Sequence, residues 1–285
     1  MRSLFLSLSS GISLIWFFAG SPSLPGQAVP PPGRVVASPR PMDQEAGRLQ
    51  HIYGKVVTYE DPVYVWREEL RPLGRRFSPS AIGFFRPADS GSEPSAEAAL
   101  RKILDAYHQQ TAGPRFQIVR STYGLHIVPI QVHDERGQFV SARNPLDASV
   151  DVPPQERSVT EHFKALCAAL GSFFGMDVQF FDGSIRLNYT TSFEQHFAAQ
   201  PPRFTWGTSG QTARDAVIGL LERSATTYSW SLRCEDGETP KDRMCVFNIT
   251  PVEVTIKDAA GHSFNTTLQY DRCPKCDPSL SPRSR

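Results

Sequence analysis

The 285-residue chain carries 30 lysines and arginines against 29 aspartates and glutamates, so its net charge is close to zero. A near-neutral chain offers no electrostatic basis for binding nucleic acid or an acidic membrane surface. Its hydrophobic content of 40% is ordinary for a folded globular protein. After the first 28 residues, no apolar segment is long enough to span a bilayer, so we expect no stable membrane span in the mature protein.

The first 28 residues, Met1 to Ala28, have the three parts of a secretory signal peptide. Arg2 supplies positive charge, Leu4 to Ala19 forms an apolar run, and Gly26 to Ala28 provides small residues at the cleavage positions. The alternative is a membrane anchor, for which the apolar run is short and rich in serine. We predict that residues 1–28 are removed and that the mature protein is periplasmic or secreted.

Residues 29–50 are predicted to form a proline-rich linker. Pro30 to Pro32, Pro39 and Pro41 favour an extended, solvated chain, and the stretch lacks hydrophobic periodicity. At the other end, residues 268–285 combine prolines with serines and arginines, and we predict a flexible tail there.

Between these ends, the chain contains two similar segments. Ser95–Leu104 resembles Thr212–Leu221, because each opens with a hydroxyl residue that can cap a helix and continues with apolar residues at helical spacing. Each segment leads into alternating strands and a hairpin, which ends at Pro129 in the first copy and at Pro251 in the second. Ordered matches of this kind indicate an internal duplication. The alternative is chance similarity between common amphipathic patterns.

The predicted fold class is α+β, with two related two-layer modules in which helices pack on one face of a small sheet. The first module is predicted over residues 51–140 and the second over residues 148–267. In the first module, Val56–Pro62 is the candidate opening strand. In the second, Ser158 can cap a helix, which a following glycine ends, either Gly171 or Gly175.

The second module resembles the short amino-terminal module of secretins and TonB-dependent receptors, which is called the STN domain. The resemblance covers about residues 148–252 and rests on three segments: Val150–Phe163, Met176–Phe180 and Thr212–Tyr228. Ser184–Arg203 looks like an insertion relative to that family. The family's module is a binding element that engages partner proteins in the periplasm. The resemblance therefore implies an unknown envelope protein as the partner, and neither catalysis nor a cofactor.

Cys234 and Cys245 are predicted to form a cross-strand disulfide. Side chains alternate along a strand, so pairing these two cysteines places Leu232 opposite Phe247 and keeps the large apolar side chains on one face. The polar loop between the cysteines is long enough to turn the chain. Two buried free thiols are the alternative.

The remaining cysteines leave several possibilities open. Cys273 and Cys276 form a Cys-x-x-Cys motif, which we interpret as a structural or labile disulfide. A catalytic dithiol would need a helix after the motif, and a four-thiolate zinc site with Cys234 and Cys245 would need a second close pair. Because the chain has five cysteines, at least one has no partner within it. Cys167, on an apolar helix face, is the expected free core thiol.

The sequence contains no recognisable catalytic, phosphate-binding or metal-binding motif. Most aromatic residues are expected in the core, but the doubled phenylalanines can place one ring on each face of a strand and so form an exposed patch. We therefore expect an exported, non-catalytic protein-binding or assembly module. The alternatives are a secreted enzyme with an unrecognised site and a thiol-redox accessory protein that uses Cys273 and Cys276. A deep pocket with converging polar groups would favour an enzyme, and an open sheet edge would favour binding.

Overall fold

Helices and strands are mixed along the chain in the structure, a computed structural model, which confirms the predicted α+β class. The structure describes residues 33–182, 203–224, 226–257 and 261–268. Its helices in these ranges are α1 (Pro41–Tyr53), α2 (Ala96–Gln110), α3 (Val159–Phe174) and α4 (Ala213–Leu221). The first eight strands are β1 (Arg34–Ser38), β2 (Val57–Glu60), β3 (Leu70–Leu73), β4 (Arg76–Pro79), β5 (Ile82–Arg86), β6 (Arg115–Arg120), β7 (Leu125–His133) and β8 (Phe139–Ser141). The others are β9 (Ser149–Arg157), β10 (Asp177–Asp182), β11 (Phe204–Thr212), β12 (Tyr228–Gly237), β13 (Met244–Pro251), β14 (Glu253–Lys257) and β15 (Ser263–Thr267).

One large sheet organises the fold. Within the described ranges it has nine strands, of which six follow one another in the order β10-β13-β12-β2-β7-β6. Strands β3, β4 and β8 extend this sheet beyond that path. In the described part of the chain, three two-stranded sheets accompany it, formed by β1 with β5, β9 with β11, and β14 with β15.

The two halves of the chain repeat one order of elements and one set of strand pairings. In the first half, residues 34–141, β1 pairs antiparallel with β5, β2 pairs parallel with β7, and β6 forms an antiparallel hairpin with β7. In the second half, residues 149–251, the same relations hold for β9 with β11, β10 with β13, and β12 with β13. Helices α2 and α4, whose sequences suggested the duplication, take the same place in each half.

The helices of the two halves lie on opposite faces of the large sheet. Val57 and Tyr59 of β2 belong to the core that contains α1 and α2, whereas Leu232 of the adjacent β12 belongs to the core that contains α3 and α4. Because β2 runs parallel to β12 and β13 runs antiparallel to β12, the matched strands of the halves run in opposite directions. The halves are thus related by a half-turn about an axis across the strands, combined with a shift along the sheet.

Local sequence rules explain the helix ends. Ser95, Ser158 and Thr212 are the N-cap residues of α2, α3 and α4, and each side chain accepts a backbone hydrogen bond from the first turn. Ser158 and Glu161 complete a capping box. Helix α3 ends at Gly175, which has a φ of 65° and so adopts the left-handed conformation that favours glycine.

The structure differs from the predicted linker over residues 29–50. From Arg34 onward this stretch forms β1 and most of α1, and only residues 29–32 lie outside the described ranges. Pro41 occupies the first turn of α1, where proline is compatible with a helix, so it begins the helix instead of marking an extended chain. Met42, Ala46 and Leu49 form the buried face of α1. Consequently β1 is the opening strand of the first half, and Val56–Pro62 contains its second strand.

The carboxyl-terminal boundary also differs from the prediction. Strands β14 and β15 lie inside the predicted second module, residues 148–267, but β14 packs against α1 of the first half. Of the predicted tail over residues 268–285, Leu268 is described, and its backbone exchanges hydrogen bonds with Thr227 and Val252. The rest of the tail, with Cys273 and Cys276, lies outside the described residues, as does the predicted insertion apart from Arg203.

The predicted disulfide between Cys234 and Cys245 is confirmed. The two residues are directly opposed in the β12–β13 ladder, and their sulfur atoms lie at bonding distance. Leu232 lies opposite Phe247, as the alternation of side chains predicted, and both are fully buried. Cys167 is a buried free cysteine on α3, also as expected.

Candidate functional site at the edges of the sheet

The two halves join where β12 pairs in parallel with β2. Ser231 lies beside Tyr59, and Leu232 lies beside Glu60. The backbone N–H of Asp61, which follows β2, donates to the carbonyl oxygen of Leu232 at 2.8 Å. The two repeats are therefore joined by parallel pairing of β12 of the second half with β2 of the first half.

Asp61 organises the polar side of this junction. Its carboxylate is fully buried and accepts hydrogen bonds from the Arg40 guanidinium at 2.6 Å and from the Tyr59 hydroxyl at 2.6 Å. It also accepts the backbone N–H of Cys234, across the junction, at 2.8 Å. Arg40 in turn donates to the carbonyl oxygen of Cys234 at 2.9 Å. One buried carboxylate thus links β2, the start of α1 and β12.

A buried ion pair crosses the junction on the other face. Arg214 of α4 donates two hydrogen bonds to the Glu60 carboxylate, at 2.7 and 2.6 Å, and a further one to Asp147. Burial raises the pKa of Glu60, and the contact with Arg214 opposes that shift. The fork geometry of arginine matches a carboxylate, which makes this pair a directional contact between the halves.

His126 is buried close to this ion pair. Its ring stacks on Trp230 of the second half at 5.1 Å between centroids, and its nitrogens contact the hydroxyls of Thr58 and Ser121 at 2.9 and 2.7 Å. Burial lowers the pKa of His126 to about 4, and the nearby Arg214 contributes to this shift. The folded protein therefore holds this imidazole neutral.

We expect the protein to lose stability as the pH falls, because the unfolded chain binds a proton at His126 that the folded chain excludes. The stabilisation is complete above the unfolded pKa and declines as the pH falls toward the folded one. Between about pH 7.5 and about pH 5 this term amounts to about 2 kcal/mol. Urea unfolding at both pH values measures it. In the His126→Gln variant the difference between the two pH values should shrink by that amount, and an unchanged difference would contradict the assignment.

The second half has a groove at the position equivalent to the one where β12 packs against the first half. Strand β12 of the second half pairs with the edge of β2 in the first half. It also contacts α1, because Arg233 of β12 forms an ion pair with Asp43 at 2.7 Å. The matching elements of the second half are α3 and β10, and a groove of about 740 Å³ lies between them. Lys164 and Gly171 of α3, residues 176–180 and Lys241 line it. Among the described strands, β10 is the last of the large sheet on this side.

Few ionisable groups line the groove. Cys167 contributes to its floor, but burial raises the pKa of this thiol to about 12, so it remains protonated at neutral pH. The charged side chains that line the groove are Lys164, Asp177 and Lys241. Nowhere in the described part of the chain do three histidine, cysteine or acidic side chains form a group that could hold a metal ion. The groove therefore has the character of an open binding surface.

A pair of exposed apolar side chains lies on the ribbon of β1 and β5. Val35 and Phe85 are directly opposed across this ribbon, and they are 56% and 60% exposed. Phe84, the neighbour of Phe85, is buried, so this phenylalanine pair has one ring on each face of the strand, as predicted. Phe173, by contrast, lies on a helix, and it is 59% exposed.

A histidine–carboxylate pair lies near the opposite end of the sheet. His133 Nδ1 contacts Glu69 at 2.7 Å, and the imidazole packs between Trp66 and Phe139. Burial raises the pKa of Glu69, and the contact with His133 opposes this rise. Among the described residues, Glu69 is the hydrogen-bond partner shown for the His133 imidazole. The arrangement includes no nucleophile and fits a packed structural pair.

Sequence reasoning located Cys234 and Cys245 but missed the polar residues of the junction. Glu60, Asp61 and Arg214 carry no local signal, because they meet only when two distant strands pair. Within the described ranges, no helix is long and apolar enough to cross a membrane. In comparisons with known proteins, no family model, no curated protein and no solved structure matches the chain.

Proposed function

We propose that the chain is an exported, non-catalytic protein-binding or assembly module that acts in the periplasm or outside the cell. The observation that carries the proposal is the α3–β10 groove beside the terminal strand of the sheet. Its counterpart in the first half, between α1 and β2, holds strand β12. A site that accepts a strand in one repeat has the shape and backbone groups to accept one in the other.

The chemistry of the groove supports a protein ligand. An added strand gains main-chain hydrogen bonds along β10, and lysines on both sides of the groove can pair with acidic side chains of that strand. The resemblance to the STN domain supports the same conclusion, because that module is a binding element in its family. Export is supported by the signal-like residues 1–28 and by the disulfide between Cys234 and Cys245.

A photo-crosslinking residue at Gln179 of β10 is expected to capture a protein partner in the producing cells. Gln179 is exposed and lines the groove, so a bound strand lies within reach of it. The measurement is the yield of discrete crosslinked species on denaturing gels, with their masses. The same residue placed at Glu135, exposed in the turn after β7, is the control and should give no discrete species. Equal yields at the two positions, or none at Gln179, would contradict the proposal.

A further inference from the structure

Strand β6 ends the large sheet on the side opposite β10. Among the described residues, β7 is the strand that pairs with β6. Arg120 at the end of β6 contacts Glu97 in the first turn of α2, so the outer edge of β6 lies in the first half. This edge is therefore separate from the α3–β10 groove of the second half.

The pairing with β7 shows which backbone groups of β6 point outward. Pro129 of β7 lies opposite Phe116 and has no N–H to donate. Opposed residues alternate between pairs that exchange hydrogen bonds and pairs that do not, so Phe116, Ile118 and Arg120 direct their backbone groups away from β7. The N–H of Phe116 follows this pattern and donates to Nε2 of His108 at 3.0 Å. The N–H groups of Ile118 and Arg120 therefore lie along the outer edge.

Strand β12 has the same arrangement in the second half. Tyr228 lies opposite Pro251 of β13, so β12 also directs every second residue outward, beginning with Tyr228. Leu232 is one of these residues, and its carbonyl oxygen accepts the N–H of Asp61, which follows β2. In the parallel pairing with β2, Leu232 lies beside Glu60. The edge of β12 thus binds a strand through backbone groups of the kind that β6 directs outward.

The two hairpins align on their prolines. Arg120 lies four residues after the residue that is opposite the proline, as Leu232 does in the second half. A strand that pairs with β6 in the way that β2 pairs with β12 therefore places its equivalent of Glu60 beside Arg120. Neighbouring side chains of this kind lie on one face of a sheet and interact, so an acidic residue there can form an ion pair with Arg120.

The surroundings of Arg120 favour an acidic partner. Its side chain is 64% exposed and contacts Glu97, and Arg101 donates to the same carboxylate at 2.8 Å. Two guanidinium groups around one carboxylate leave this end of β6 positive. Antiparallel pairing of two β6 edges would bring Arg115 of one copy against Arg120 of the other, which is repulsive. Charge therefore favours an acidic strand from a different protein over β6 of a second copy.

We propose that the outer edge of β6 is a second protein-binding site, which takes an extended acidic segment of a partner protein by parallel strand addition. The bound segment gains main-chain hydrogen bonds to Ile118 and Arg120, as β2 does along β12. An acidic side chain of the segment pairs with the Arg120 guanidinium. This inference goes beyond the proposed function, because one chain can then bind a partner strand at each end of its sheet.

A peptide with the sequence of residues 55–64 tests the site, because it contains β2, the strand that β12 binds within the chain. Fluorescence anisotropy of the labelled peptide measures its binding to the protein, over concentrations that reach the millimolar range. The Arg120→Glu variant should bind this peptide about tenfold more weakly than the wild type does, because Glu60 of the peptide then meets a like charge. The same variant should prefer a peptide with the substitution Glu60→Lys, whose lysine restores opposite charges.

Two further variants test the backbone contact and the location of the effect. The Ile118→Pro variant removes an outward N–H and leaves the hydrogen bonds to β7 in place, so it should lose the peptide and still unfold cooperatively in urea. Ile118 also packs partly against the core, whereas Arg120→Glu alters an exposed side chain and tests the site without disturbing that packing. The Arg71→Glu variant, altered on the exposed surface of β3, is the matched control and should bind as the wild type does.

The outcomes separate this inference from the proposed function. Absence of peptide binding by the wild type, or binding that Arg120→Glu leaves unchanged, overturns the second site. Binding that Lys164→Glu abolishes and Arg120→Glu does not places the peptide in the α3–β10 groove, which supports the proposed function and overturns the inference. A wild-type protein that dimerises through β6 instead of binding the peptide also overturns it. Weaker binding by Arg120→Glu, together with its preference for the Glu60→Lys peptide, supports the site whatever the crosslinks from Gln179 show.

Discussion

Replacing Arg214 with alanine is expected to lower the free energy of unfolding by about 3–5 kcal/mol. The Glu60 carboxylate has no exposed surface, and Arg214 donates two hydrogen bonds to it. Removal of the guanidinium leaves the Glu60 carboxylate buried without its partner. The folded protein must then either keep an unpaired buried charge or bind a proton at Glu60, and both cost free energy. Urea unfolding of the two proteins at neutral pH provides the measurement.

Two further variants show whether burial causes this effect. Arg233 also crosses the junction, to Asp43, but its side chain is 47% exposed, and we expect Arg233→Ala to cost about 1 kcal/mol or less. Replacing Arg214 with methionine and Glu60 with leucine together removes both charges, and much of the lost stability should return. An Arg214→Ala variant that is no less stable than Arg233→Ala would contradict the buried ion pair.

Loss of the disulfide is expected to lower the free energy of unfolding by about 3 kcal/mol, because the bond restricts the unfolded chain over the loop between Cys234 and Cys245. Both residues are buried in the core of the second half. The test is the double variant Cys234→Ala, Cys245→Ala, compared with the wild type with and without reductant. Reductant should destabilise the wild type and leave the double variant unchanged.

The Cys167→Ala variant separates the bond from the simple loss of buried sulfur. Cys167 is equally buried but has no disulfide partner, so its replacement removes packing without altering the unfolded chain. We expect a loss of about 1 kcal/mol for that variant, with the sensitivity to reductant retained. If the Cys167→Ala variant loses as much stability as the double variant, packing accounts for the effect and the disulfide contributes little.

The elements that sequence reasoning located are those that local chemistry determines. The caps at Ser95, Ser158 and Thr212 follow from hydroxyl side chains placed before amphipathic runs. The register of β12 and β13 follows from alternation of apolar side chains, which allows one alignment that keeps Leu232 and Phe247 buried. In each case, the deciding interactions lie within a short stretch of chain.

The elements that sequence reasoning missed depend on context. The sequence predicts a linker where helix α1 begins, because prolines dominate the stretch before Met42. The spacing of Met42, Ala46 and Leu49 was the signal that could have identified it. The pairing of β2 with β12 has no local sequence signal, because it depends on the tertiary structure that brings these distant strands together. The groove between α3 and β10 became recognisable only from that junction and the half-turn between the repeats.

Strand β2 is central in the sheet, yet its neighbour β12 lies far along the chain. Ser229 of β12, which donates to the carbonyl of Val57, is 172 residues away from it in sequence. During synthesis, the first half therefore emerges with one edge of β2 uncovered, and Glu60 and Asp61 still lack the hydrogen-bond partners that the second half supplies. Uncovered edges of this kind invite aggregation and proteolysis. A chain that stops before Tyr228 is thus exposed to proteases and chaperones, and pairing of β12 with β2 ends this exposure.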